Sequence, residues 1–160
     1  MIKLIIFDLD GVLVDAKQIH FDTLNKALSD IGNEYVISES EHLSTYDGLK
    51  TNQKLQMLSE KKGLPTHSHK FVWEKKQELT IEEISKLEVN TKLVDVFKTL
   101  KNEGYKIACC SNSIRRSVLV MLSKIGLLEF IDLSLSNEDV KNSKPHPEIY
   151  WKCISEFGIL

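Results

Sequence analysis

Cysteine is scarce in this sequence, an excess of either charge is missing, and the opening apolar stretch is short. Each lack narrows what the chain can be. Three cysteines occur in 160 residues, two of them adjacent at Cys109 and Cys110 and the third far downstream at Cys153, which is not a metal-ligand spacing. Adjacent side chains point to opposite faces of a strand. The three thiols therefore read as small buried hydrophobes in a reducing compartment, and a cytoplasmic location is expected. A formal net charge of −2 leaves no basic footprint for a polyanion, so nucleic acid is not an expected partner. The start, "MIKLIIFDLD", has an apolar stretch far too short for a signal peptide or a membrane span, and Asp8 interrupts it; no membrane partner is expected. What remains is an ordinary globular composition, 42% hydrophobic and 28% charged, on a chain long enough for one domain with a small insert.

The order of patterns predicts the architecture. "KLIIFDLD" reads as a short strand buried on both faces, followed by a helix from about Lys17 with His20, Leu24, Ala27, Leu28 and Ile31 on one side and Gly32 as its stop. Asp15 is expected to cap that helix. Residues 36 to 88 look helical, polar and rich in lysine and glutamate, with capping-box spacing at Ser38 and Glu41. Beyond them "NTKLVDVFKTLKNEG" sets Leu93, Val96, Phe97 and Leu100 at i, i+3, i+4 and i+7. "YKIACCSN" and "FIDLSLS" read as two further strands, "SIRRSVLVMLSKIG" and "PEIYWKCISEFG" as helices. Strands alternating with helices predict an α/β fold: a doubly wound parallel sheet, Rossmann-like, from residues 1–15 and 89–160, with a small helical cap at 16–88 inserted after the first strand–helix unit.

In such a sheet ligands sit beyond the carboxyl ends of the strands. The first end supplies Asp8, Asp10 and Gly11, the second Ser111 and Asn112, and after the third comes Lys144. Asp8 and Asp10 share a side because strand side chains alternate with period two. Two close anions call for a hard divalent cation, and carboxylate oxygens suit Mg2+. With it in place Asp8 can attack phosphorus, while Asp10 protonates the leaving alkoxide and later deprotonates water. Backbone N–H groups at Leu9 and Asp10, with the Ser111 hydroxyl, can hold the equatorial oxygens, and Lys144 opposes their charge.

"DLDGVLVD", "SNS" and "KPHPEIY" resemble the first three motifs of the haloacid dehalogenase superfamily of phosphatases. The likeness is to the branch with a helical cap that includes β-phosphoglucomutase and phosphoglycolate phosphatase. The resemblance implies Mg2+-dependent hydrolysis of a small phosphate monoester, such as a sugar phosphate, through an aspartyl-phosphate. By it Asp8 matches the nucleophile, Asp10 the general acid/base whose carbonyl also binds magnesium, Ser111 the phosphate-binding hydroxyl and Lys144 the lysine that steadies nucleophile and phosphate. Asn112 takes a position that often contacts phosphate or substrate, and His20 is either a substrate contact or a helix residue packed near the hinge. "YDGLKTNQKL" resembles the substrate-specificity loop, with Gly48, Lys50 and Thr51 toward the substrate. It lacks the arginine usual in β-phosphoglucomutases, which weighs against a phosphomutase, the alternative enzyme.

The resemblance also implies a fourth, acidic motif after a fourth strand that pairs with the first, and neither is found before Leu160. Three accounts fit that expectation: a longer polypeptide with a missing C-terminal segment; a short protein that covers its first-strand edge through a partner chain or as a homodimer; and a catalytically weak module that binds a phospholigand or a partner.

Overall fold

The computed structural model describes residues 3–159. Its elements run β1 (Leu4–Phe7), α1 (Lys17–Ser29), α2 (Glu39–Glu41), α3 (Thr51–Lys62), α4 (His69–Ile84), α5 (Thr91–Asn102), β2 (Lys106–Cys110), α6 (Arg115–Lys124), β3 (Leu133–Leu135) and α7 (Glu148–Glu156). The chain divides into two compact units, Met1–Asp15 with Ile84–Leu160, and Ala16–Glu83. Among the described residues no helix is long and apolar enough to cross a membrane.

The first unit is the α/β one. Its sheet has the order β1-β2-β3, both pairings parallel, with Ile6 beside Ala108 and Ala108 beside Leu133. The period of two sorts the side chains. Ala108, Cys110 and Leu135 pack with Ile149 and Cys153 of α7, joined by Leu4, Ile6 and Leu133. Phe7, one residue out of phase, meets Phe97 of α5 with ring centroids 4.8 Å apart, so a helix covers the other face as well. β2 is central and its last four residues are buried, whereas all four residues of β1 are only partly so. All three thiols are buried and free. A paired strand on each side explains why β2 is the most buried of the three.

Two expectations need correction here. Val96 does not face the core: it is 51% exposed, and Val94 takes a half-buried place beside Leu93, Phe97 and Leu100. Both valines fit an amphipathic pattern, and the position of the sheet chooses between them. Asp15 does not cap α1. The N-cap is Ala16, with no side-chain cap bond, because a tight turn in which Leu9 accepts from the N–H groups of Val12, Leu13 and Val14 delays the helix.

Asp132 holds the entry to β3. Its Oδ2 accepts from the Ile107 N–H at 2.8 Å and from Lys101 Nζ at 2.6 Å, and Lys106 Nζ lies 3.6 Å from Oδ1. Burial works to raise its pKa, but the Lys101 and Ile107 hydrogen bonds and the lysine charges outweigh it and hold the carboxyl below the ordinary 3.8. A depressed carboxylate contributes stability that is fully present above its unfolded pKa and is lost as the pH falls through the lower folded value. Asp132→Asn, which keeps the acceptor and removes the charge, should unfold about 1 kcal/mol more easily at neutral pH, given partial solvent screening. In urea melts across a pH series that gap should close on acidification below 3.8; a gap independent of pH would refute the assignment.

The second unit is helical. Leu24, Ala27 and Leu28 of α1 pack with Leu55 and Leu58 of α3, Val72 of α4, and Ile37, Tyr46 and Leu64 from the connections. Ser38 and Glu41 form the expected capping box, but the helix they start has only three residues before a single π turn, His42–Tyr46.

Candidate active site

The α/β unit brings the carboxyl ends of its strands together. Asp8 follows Phe7, the last residue of β1, and Gly11 at φ +80° turns the chain away, a backbone angle that side-chain-bearing residues avoid. Asp8 Oδ1 accepts from Lys144 Nζ at 2.6 Å and from the Leu9 N–H at 2.7 Å. Lys144 Nζ also donates to the Cys110 carbonyl at 3.0 Å, at the end of β2. The lysine side chain is 15% exposed and that of Asp8 40%, so a shielded cation backs a carboxylate open to solvent. Among the described residues nothing donates to Asp8 Oδ2.

Asp10 is held from β2. Its Oδ2 accepts from Ser111 Oγ at 3.3 Å and from Ser113 Oγ at 3.0 Å, and Ser111 Oγ itself accepts from the Ser113 N–H at 3.0 Å. Ser111 is fully buried. Beneath, burial and the nearby Asp8 carboxylate push the Cys109 thiol up to about 12, which keeps it protonated and unreactive.

Asp8, Asp10, Ser111, Asn112 and Lys144 thus stand in one place, as their strand ends predicted. Three of the expected phosphate contacts also have partners inside the protein. The Leu9 N–H is taken by the carboxylate of its own neighbour, the Ser111 hydroxyl points to Asp10, and the Asn112 amide bonds the Lys144 main chain. Ser113 was missed by sequence reasoning, although its signal was present: in "SNS" it shares the phase of Ser111.

The candidate substrate residues lie in the helical unit. His20 on α1 has its Nδ1 3.2 Å from Lys76 Nζ on α4. Gly48, at φ +73°, makes the turn before α3; the Lys50 N–H donates to Gln53 Oε1 at 3.2 Å, and Thr51 opens the helix. Sequence reasoning missed that Lys54 and Lys76 are each only 7% exposed, because a lysine on a polar helix reads as solvated. His42, also buried, has its pKa lowered by burial and by the Lys54 charge.

For a divalent cation the candidate donors are the Asp8 carboxylate and, with the Asp10 carboxyl engaged by the two serines, the Asp10 main-chain carbonyl. No group of three or more His, Cys, Asp or Glu side chains suited to a metal exists among the described residues. A closed protein cage is therefore not formed by them, but magnesium commonly takes one or two carboxylates and completes its shell with water and substrate phosphate. The hard oxygens at this open strand end fit that ion.

The chain is also similar to known proteins. The chain is 26% identical over 159 residues to a phosphorylated carbohydrates phosphatase of Thermotoga maritima, covering 98% of this chain and 71% of that protein. It is 26% identical over 167 residues to the pyrophosphatase PpaX of Bacillus pumilus, covering 98% and 69%. Among solved structures, CbbY of Rhodobacter sphaeroides in complex with xylulose-(1,5)-bisphosphate superposes with a TM-score of 0.86 at 18% identity, over 99% of this chain and 73% of that one. The β-phosphoglucomutase of Clostridium difficile gives 0.82 at 20% identity, over 99% and 72%. The parallel sheet and its helices are thus those of a Rossmann-like phosphatase fold. A second copy or partner chain, raised by the sequence for the β1 edge, finds no support in these comparisons. The haloacid dehalogenase-like hydrolase family matches residues 5–160, nearly the whole sequence; the chain belongs to that family, as a hydrolase of the phosphatase type.

Proposed function

We propose that the chain hydrolyses a small phosphate monoester, of the sugar phosphate kind, by way of a covalent phosphate on Asp8. The observation that carries this is the 2.6 Å contact between Lys144 Nζ and Asp8 Oδ1, set against the open Oδ2 of the same carboxylate. Oδ2 attacks phosphorus and the P–O bond to the alcohol breaks. Asp10, entering protonated, gives its proton to the leaving alkoxide; as a carboxylate it then takes a proton from water, whose oxygen attacks phosphorus and releases inorganic phosphate and free Asp8. Ser111 and Ser113 aim Asp10 for both transfers. Lys144 stays fixed against the charge that spreads over the equatorial oxygens.

The Asp8 carboxylate and the Asp10 main-chain carbonyl would hold Mg2+, which when bound would offset the repulsion between Asp8 and the phosphate and draw charge from the phosphoryl group. The unit Ala16–Glu83 is given the role of a cap that selects the substrate, with His20, Gly48, Lys50 and Thr51 as its contacts. The name of the Thermotoga relative favours a phosphorylated carbohydrate. The three free thiols favour the cytoplasm.

The test is release of inorganic phosphate from a panel of phosphorylated metabolites with magnesium. Phosphorylated sugars should lead the panel. A chelator should remove at least about nine-tenths of the rate, as loss of a Lewis acid worth several kcal/mol requires, and magnesium should restore it. A rate indifferent to chelation would overturn the metal assignment. A need for a sugar bisphosphate as activator would point to a phosphomutase instead.

A further inference from the structure

Asn112 sits next to the phosphate-side serine, but its carboxamide is turned along the protein. Nδ2 donates to the Lys144 carbonyl at 3.0 Å, and Oδ1 accepts from the Lys144 N–H at 3.0 Å. One planar group therefore holds both main-chain polar groups of a residue 32 positions away, in the manner of a neighbouring strand. The clamp is itself anchored: the Asn112 carbonyl accepts from Asn137 Nδ2 at 2.8 Å, and the Asn137 N–H donates to the Ser113 carbonyl at 3.2 Å. The segment after β2 is tied in this way to the segment after β3, which carries the lysine.

The far end of Lys144 is fixed too, between Asp8 Oδ1 and the Cys110 carbonyl. A lysine side chain is long and rotamer-rich, and its ammonium is a point charge whose value at a reacting phosphoryl group depends on where it stands. Holding its backbone from one side and its Nζ from the other leaves it little freedom. We propose that Asn112 is a positioning residue for Lys144 and acts through that residue's main chain, not through the phosphate; the kinetic part of this rests on the reading of Asp8 and Lys144 given above. Only a side chain with one donor and one acceptor on a rigid plane serves here. Aspartate would keep the bond from the Lys144 N–H but turn a second oxygen against the Lys144 carbonyl.

A double-variant cycle separates the two roles. Asn112→Ala and Asn112→Asp should each lower kcat roughly ten- to a hundredfold, the usual cost of a misplaced catalytic group, with KM changed by less than about threefold. Lys144→Ala should be no slower when Asn112→Ala is added, to within about threefold, because the clamp then has nothing to aim. Multiplying losses in the double variant, or a raised KM at unchanged kcat, would make Asn112 a ligand of substrate and overturn the proposal. A second readout needs no turnover: acylation of Lys144 by an amine reagent, followed on its tryptic peptide. Labelling should be slow in the wild type, where that side chain is 15% exposed, and about tenfold faster in both variants as the loop opens locally. Equal labelling in wild type and variants overturns the clamp. Asn112→Asp differs from the wild type in one group and guards against a misfolded alanine variant. Full activity of Asp8→Asn would sink the reading of the site, while the labelling would still judge the clamp.

Discussion

Asp8→Asn should abolish phosphate release and leave the protein folded. The carboxamide occupies the same space, but its oxygen is a poor nucleophile and its nitrogen has no available lone pair, so no acyl-phosphate forms. Loss of a covalent nucleophile costs on the order of 10^4-fold or more, with the residue of rate coming from the groups that remain. Those groups are intact: Lys144 keeps its bond to the Cys110 carbonyl, and Asp10 keeps both serines. Asp8 is 40% exposed, so losing its ion pair should change stability by less than about 1 kcal/mol. A phosphorylated ligand should bind at least as well, since one negative charge has gone. A stopped enzyme with unchanged melting and undiminished binding is the expected triad of results. Activity within about tenfold of the wild type would show that Asp8 is not the group that bonds phosphorus.

How much of this is legible in the sequence depends on the range of the information needed. Strands β1 and β2 could be read because burial on both faces leaves a continuous apolar run, and the alternation that places Asp8 and Asp10 on one side is a property of the strand alone. The convergence of Asp8, Ser111 and Lys144 followed from a rule about strand ends. The direction of the Asn112 amide was not legible, because it depends on where a loop 32 residues later returns. Nor were the burial of Lys54 and Lys76 or the exposure of Val96, since each is decided by a neighbouring element. The π turn at His42–Tyr46 illustrates the same limit. Ser38 and Glu41 announce a helix start correctly, but the next turn buries His42 and Tyr46, and local propensity does not carry that demand.

Lys144→Ala is expected to be the second most damaging change, and its consequences differ in kind. The nucleophile remains, but the one cation within hydrogen-bond distance of Asp8 among the described residues is gone. Removing a preorganised donor aimed at developing charge typically costs about 10^2- to 10^3-fold in kcat, less than removing the nucleophile itself. The Asp8 carboxylate then faces a phosphoryl group without a fixed positive charge, so affinity for inorganic phosphate should fall as well, the reverse of Asp8→Asn. That opposition in binding is the sharper result, because a merely unfolded site would weaken binding in both variants. Arginine should not rescue the loss. Its planar fork cannot stand in the place of a compact ammonium between Asp8 Oδ1 at 2.6 Å and the Cys110 carbonyl at 3.0 Å without moving the strand ends apart. If Lys144→Ala bound phosphate as the wild type does and kept more than about a third of its rate, the pairing of Lys144 with Asp8 would be structural alone. The charge that balances the transferred phosphate would then have to come from the metal.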